Sequence, residues 1–221
     1  MGSDDLHRKR KARRAKELAR RKSSRAPYDR VLIVCEGSKT EPNYLRELID
    51  YLRLSSANVE VDGDSGSSPI NVVKHAKLRY REEQAKGDAF DRVFCVFDKD
   101  AHSTYAEAMR ALSGLKPRGV FQSIPSVPCF EYWLLLHFAY STRPYHASGR
   151  RSACDCLIGE LRNYMPGYAK GGKGIFEQVM AQTDQAVAFS ERALQAAEKA
   201  GTDNPTTRMH ELAEYLKRLK R

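Results

Sequence analysis

Two short runs in which every residue is apolar, Val31-Leu32-Ile33-Val34-Cys35 and Val93-Phe94-Cys95-Val96-Phe97, constrain this chain more than any other feature. A strand with one wet face alternates apolar and polar residues, whereas a strand that is apolar throughout is covered on both faces. The segments between and after these runs have helical character. Thr40 can cap a helix with Glu41 and Pro42 in its first turn, and Leu45, Leu48, Ile49 and Leu52 follow at helical spacing. Asn58 to Val61 alternates like a short strand. Ser68-Pro69 opens a second helix running to about Lys86, Thr104 to Leu112 reads as a weak helix, and Gly119 to Ile124 as a fourth strand. Strand, helix, strand, helix, strand in this rhythm predicts an α/β fold built on a mostly parallel sheet flanked by helices.

The remainder of the chain divides by composition. Residues 1–30 hold 12 Lys/Arg against four acids, so +8 of the net +10 lies there and the other 191 residues carry +2. Leu6 to Arg25 has almost no large apolar residue and cannot bury a face, so residues 1–27 are expected to be a basic arm without fixed structure, or a partly helical one. Such an arm is the usual footprint of a protein that meets phosphate backbones. Residues 28–140 are expected to form the α/β core. Residues 141–221 should make a loop-rich, helical extension packed on it. Within the core, Pro128 to Ala139 is apolar on nearly every face and reads as one buried helix. Ser141 to Gly174 is rich in Gly, Arg and Lys and reads as irregular. Two helices close the chain, one marked by Phe176, Val179, Met180, Val187 and Leu194. The other starts at Asn204-Pro205 and is lined by Met209, Leu212, Leu216 and Leu219.

No window approaches the ~18 uninterrupted apolar residues of a membrane span, and the basic N-terminus lacks the apolar stretch of a secretion signal. Five cysteines are an odd number, and Cys35 and Cys95 sit inside the strand-like runs. The expectation is a reducing, cytoplasmic location and no disulfide scaffold. Cys154-Asp155-Cys156 lacks the second Cys/His pair of a structural zinc site. Gly171-Gly172-Lys173-Gly174 lacks the spacing, the Ser/Thr and the preceding strand of a phosphate-binding P-loop.

The chemistry is concentrated at strand ends. In an open parallel sheet, ligands bind beyond the carboxyl ends of the strands. Glu36 directly follows Cys35, and Asp98 and Asp100 directly follow Phe97. If these strands are neighbours, three carboxylates meet on one rim, where all-oxygen ligation suits Mg²⁺ or Mn²⁺. Lys39, in the loop after Glu36, is placed to touch a phosphate or a developing charge. Glu131, in the first turn of an apolar helix, either pairs with the helix N-terminus or joins the catalytic carboxylates as a further metal ligand. Glu41 is read as a helix first-turn acid.

Val34-Cys35-Glu36-Gly37 with Thr40-Glu41-Pro42-Asn43-Tyr44 resembles the opening motif of the RloB-like family of bacterial proteins. Pro128-Cys129-Phe130-Glu131-Tyr132-Trp133-Leu134-Leu135-Leu136-His137-Phe138 resembles its second hallmark, and Asn204-Pro205-Thr206 its third. That family falls in the wider Toprim-like group, whose pattern is an acid and a glycine after one strand and Asp-x-Asp after a later one. Glu36-Gly37 and Asp98-Lys99-Asp100 are similar to that pattern. The resemblance implies a Toprim-like sheet, acid/base or metal chemistry at Glu36, and Mg²⁺ at Asp98 and Asp100. It also implies a nuclease of DNA or RNA acting in antiphage defence beside an ABC- or AAA-type ATPase partner. Two other readings stay open: a non-catalytic adaptor that binds nucleic acid or an ATPase, and a haloacid-dehalogenase-like phosphatase. A homodimer is open as well.

Overall fold

A computed structural model describes residues 3–23, 27–99 and 102–220. Nine α-helices and five strands follow one another among them: α1 (Ser3–Ser23), β1 (Val31–Cys35), α2 (Thr40–Tyr51), β2 (Val59–Asp62), α3 (Pro69–Ala85), β3 (Arg92–Asp98), α4 (Tyr105–Ser113), β4 (Phe121–Val127), α5 (Glu131–Leu135), α6 (Ala153–Leu161), α7 (Ile175–Val179), a 3₁₀ turn (Met180–Gln182), α8 (Thr183–Ala200), β5 (Thr206–Thr207) and α9 (Met209–Arg218). One sheet of order β2-β1-β3-β4-β5 holds the strands together. The first four run parallel and β5 is an antiparallel edge.

The apolar runs form strands for the reason their composition implies. Successive side chains point to opposite faces, and both faces are covered. Val31, Ile33 and Cys35 join a cluster with Phe94, Val96, Trp133 and Leu212. Leu32 and Val34 join another with Val73, Cys95, Phe97 and Ala108, under α3 and α4. The larger cluster runs without a break from β1 to α9, so residues 141–220 share a core with the sheet.

Several elements differ from the sequence reading. The arm is one helix over Ser3–Ser23, exposed through residues 6–20 except at Leu18, which reaches toward the Gly87 turn. The apolar stretch from Pro128 yields a helix of only five residues, followed by tight turns in which His137 and Phe138 donate to Leu134 and Leu135. His137 Nδ1 bonds the Trp133 carbonyl at 2.9 Å, occupying the acceptor that would continue the α-helix. The irregular segment contains α6, which starts at a capping box: Ser152 accepts from the Asp155 amide, and Asp155 accepts from the Ser152 amide. The first closing helix is two helices split by the 3₁₀ turn. Thr206 and Thr207 form a strand ahead of the last helix by pairing with Val127 and Ser126. None of the helices among the described residues is long and apolar enough to cross a membrane.

The loop after β2 lies against the loop after β1. A Cβ added at Gly63 would stand 2.8 Å from the Gly37 carbonyl oxygen and 3.0 Å from Ser38 Cα, both backbone atoms that cannot rotate aside. Gly63→Ala is therefore expected to cost about 1–3 kcal/mol, read as a lower midpoint in thermal or urea unfolding. An unchanged midpoint would show that the two loops are not packed as described.

Candidate functional site

Adjacent strand ends bring the acids together. The Glu36 amide donates to the Val96 carbonyl at 3.0 Å, extending the β1–β3 ladder by one residue. Its side chain then reaches across β3, where Oε2 accepts the Asp98 amide at 3.1 Å. Oε1 lies 2.9 Å from His102 Nε2. Asp98 is the last residue of β3 and pairs in register with Ser126 of β4. The chain leaving β4 delivers Glu131, which is 2% exposed and held by the Tyr168 hydroxyl, donating to Oε1 at 2.7 Å. Lys170 Nζ stands 3.6 Å from the same oxygen. Glu41 adds a fourth carboxylate from the first turn of α2. Glu36, Glu41, Asp98, Glu131, Lys39 and Lys170 all line one open cavity of about 390 Å³.

Four carboxylates on one rim repel. Burial, followed by the charges of Glu41, Glu131 and Glu36, pushes the Asp98 carboxyl well above its ordinary range, with Lys170 opposing. Burial raises Glu41 from 4.5 to about 7, against a backbone hydrogen bond that favours its ionised form; the charges of Glu131 and Glu36 add to the rise. Tyr168 is raised as well, by burial and then by Glu131. At neutral pH the cluster keeps a proton unless a cation replaces it.

A family model described as RloB-like protein matches residues 31–216, from the first strand to the last helix. The chain belongs to the RloB-like family. No curated protein and no solved structure is significantly similar to it.

In this RloB-like chain the opening motif has a mechanical role besides supplying Glu36. Thr40, Asn43 and Glu47 share one face of α2 and grip the glycine loop before α7. Thr40 Oγ1 accepts the Gly171 amide at 2.8 Å rather than capping its own helix. Asn43 Nδ2 donates to the Gly171 and Gly172 carbonyls at 3.3 Å. The two Glu47 carboxylate oxygens accept the Gly174 and Phe176 amides at 2.6 and 2.8 Å. Gly171 has φ +77°, and a Cβ there would stand 3.0–3.1 Å from the Lys39 side chain, so only glycine lets the loop lie this close. The grip carries Lys170 to the acids.

Of the residues singled out from sequence, Glu36, Asp98, Lys39 and Glu131 share the cavity, and Asp100 lies outside the described residues. Glu131 is held by Tyr168 and Lys170, not by a helix N-terminus. Sequence reasoning did not single out Lys170 or His102. The polar residues of α2 opposite its apolar stripe were the available signal for the first, and nothing comparable marks the second. Cys129 and Cys154 form a disulfide, against the expectation drawn from the cysteine count, while Cys35, Cys95 and Cys156 are free. Among the described residues, the one trio of His, Cys, Asp or Glu with donor atoms all within 4.8 Å of one another is Cys129, Glu131 and Cys154.

The raised Glu41 gives a signed test. A carboxyl held at about 7 in the fold and near 4.5 outside it favours the native state most below pH 4.5, and that contribution is lost as the pH rises through 7. In chelator-treated protein, Glu41→Gln is expected to gain stability over the wild type progressively between pH 4.5 and 7. The gain should then level off, on the order of 3 kcal/mol at most. Thermal melts across that range check it, and a difference independent of pH would show that the Glu41 carboxyl is not raised in the fold.

Proposed function

We propose that this RloB-like chain is a divalent-metal-dependent phosphodiesterase, a nuclease acting on DNA or RNA. The observation that carries the reading is the linked pair at neighbouring strand ends, Glu36 and Asp98, facing the same cavity as Lys39 and Lys170. The donor set fits Mg²⁺ or Mn²⁺: hard carboxylate oxygens, buried and crowded enough to resist ionisation, on a rim where two carboxylates suffice because Mg²⁺ commonly keeps water and phosphate oxygens as its other ligands. Glu36 and Asp98 would hold the ion, with Asp100 as the third ligand that the Toprim-like pattern supplies. When bound, such an ion polarises the phosphodiester and acidifies a water.

The chain's own groups do the remaining work. Lys39 and Lys170 receive the charge that builds on the non-bridging phosphate oxygens. Glu41, titrating near neutrality, is suited to take a proton from the attacking water. Glu131 acts by fixing Lys170, and His102 by orienting Glu36. The helical arm, net +8 over residues 1–30, gives sequence-independent affinity for the backbone. An ABC- or AAA-type ATPase partner, a place in antiphage defence and a cytoplasmic location belong to the same proposal.

The test is cleavage of duplex DNA, single-stranded DNA, tRNA and mRNA with Mg²⁺ or Mn²⁺, against chelator, with nucleic-acid binding measured in parallel. Glu36→Gln and Asp98→Asn are expected to lower cleavage by about 100-fold or more while binding persists. Undiminished cleavage in both variants would remove the site assignment. Binding by the wild type without products on any substrate would favour the adaptor reading. Deleting residues 1–25 should weaken binding and reduce the slope of log affinity against log salt by about 0.9 for each phosphate that the arm neutralises; an unchanged slope would take the arm out of the interface.

A further inference from the structure

Behind Glu131, which lines the cavity, lies a second donor set of different chemistry. Cys129 and Cys154 are 1% and 3% exposed, with Cα atoms 5.8 Å apart. Cys154 Sγ lies 3.5 Å from Glu131 Oε2. That is the edge of a tetrahedron around an ion with metal–sulfur and metal–oxygen bonds of about 2.3 and 2.1 Å, for which the S···O separation comes to roughly 3.6 Å. The Lys170 ammonium already sits in this notch, 3.3 Å from Cys154 Sγ and 3.6 Å from Glu131 Oε1. The other requirement of a metal-binding carboxylate, an outer hydrogen bond that orients it, is met by the Tyr168 hydroxyl at 2.7 Å. All three donors are buried and within 4.8 Å of one another.

We infer that Cys129, Glu131 and Cys154 form a site for a thiophilic divalent ion of the Zn²⁺ class, available when the Cys129–Cys154 disulfide is reduced and closed when it is formed. It stands independently of the nuclease reading. Opening requires a dithiol reductant. One reagent thiolate attacks a cysteine sulfur and the S–S bond breaks. The second reagent sulfur then displaces the mixed disulfide, so two electrons and two protons pass to the cysteines and the reagent leaves as its cyclic disulfide. Side-chain rotation parts the two sulfurs to the ~3.8 Å edge of the same tetrahedron. Metal uptake releases the two thiol protons, and the ion displaces Lys170. With its side chain 55% exposed, Lys170 has room to swing into the cavity. Three protein donors leave a fourth position where the ammonium now stands, on the cavity side.

The test uses the full chain and Co²⁺ as the probe. One sample is reduced with excess dithiol and desalted without oxygen, another is left oxidised, and the thiols of each are counted after denaturation. Reduced wild type is expected to show five thiols and to take up one Co²⁺, with a thiolate-to-cobalt charge-transfer band and the intense visible bands of a tetrahedral ion. Zn²⁺ should erase both, and excess Mg²⁺ should leave them unchanged. The oxidised chain is expected to show three thiols and no such band. Cys129→Ser and Cys154→Ser should lose the band and Cys156→Ser keep it, while Tyr168→Phe should weaken uptake by about 10–100-fold. The inference fails if reduced wild type gives no thiolate–cobalt band. It fails equally if the band persists in the oxidised chain or in both cysteine variants, or if the disulfide survives excess dithiol. Because the oxidised and reduced samples are the same chain, the result does not depend on a variant folding. It is also read without cleavage, so it can fail while the nuclease reading stands, or the reverse.

Discussion

Burial of several acids together at the sheet rim, and after it their mutual repulsion, is the constraint around which this protein is arranged. Glu36 and Asp98 are delivered by β1 and β3, Glu131 by the chain leaving β4 beside them, and Glu41 by α2, the helix that follows β1. Isolated buried carboxylates would simply stay protonated. Here the rim is furnished with partial remedies: the Asp98 amide on Glu36, His102 beside it, the first turn of α2 under Glu41, and Lys170 against Glu131. They do not offset burial and the neighbouring charges, so Asp98 and Glu41 still resist ionisation. Under the proposed function, this is the rim that a cation and a charged substrate would enter together.

Holding such a rim needs a rigid floor and a delivered lysine. The floor is β1, whose alternate side chains lock into two separate apolar clusters. Its entry is fixed by Arg30, buried at 2% exposure, which pairs with Glu83 and Glu60 at 2.6 and 2.8 Å and stacks on Phe90. Removing one partner from a buried network of this kind costs about 3–5 kcal/mol, so the bottom of the sheet is strongly pinned while its top stays electrostatically unsatisfied. The lysine comes from far away in sequence. Lys170 is set by Thr40, Asn43 and Glu47 gripping the glycine loop, so the C-terminal extension completes the cavity as well as the core.

These dependencies explain what the sequence discloses. Val31–Cys35 and Val93–Phe97 are readable because burial on both faces leaves an unbroken apolar run, and Glu36 and Asp98 because a strand end fixes where the next side chain goes. The β5 strand is invisible because two threonines become a strand only when Ser126 and Val127 lie beside them. The short α5 is hidden for another reason. A segment apolar on all sides has no periodicity to read, and the bond from His137 to the Trp133 carbonyl that helps end the helix is a side-chain choice. The Cys129–Cys154 pair spans 25 residues and depends on α6, which its setting in a Gly- and Arg-rich stretch disguises.

Glu131 shows how closely two chemistries are joined. Oε1 faces Tyr168 and Lys170 on the side of the hard, all-oxygen rim, and Oε2 faces Cys154 on the side of the sulfurs. Carboxylate is the one ligand type here that serves both a hard cation and a thiophilic one. The lysine between them stands against Glu131 and Cys154 while the sulfurs are bonded to each other, and on the inference above an ion there would send it into the open cavity. If an ion takes the sulfurs as inferred, the state of the cysteines would set where the Lys170 charge stands, through a single side chain and without moving a strand.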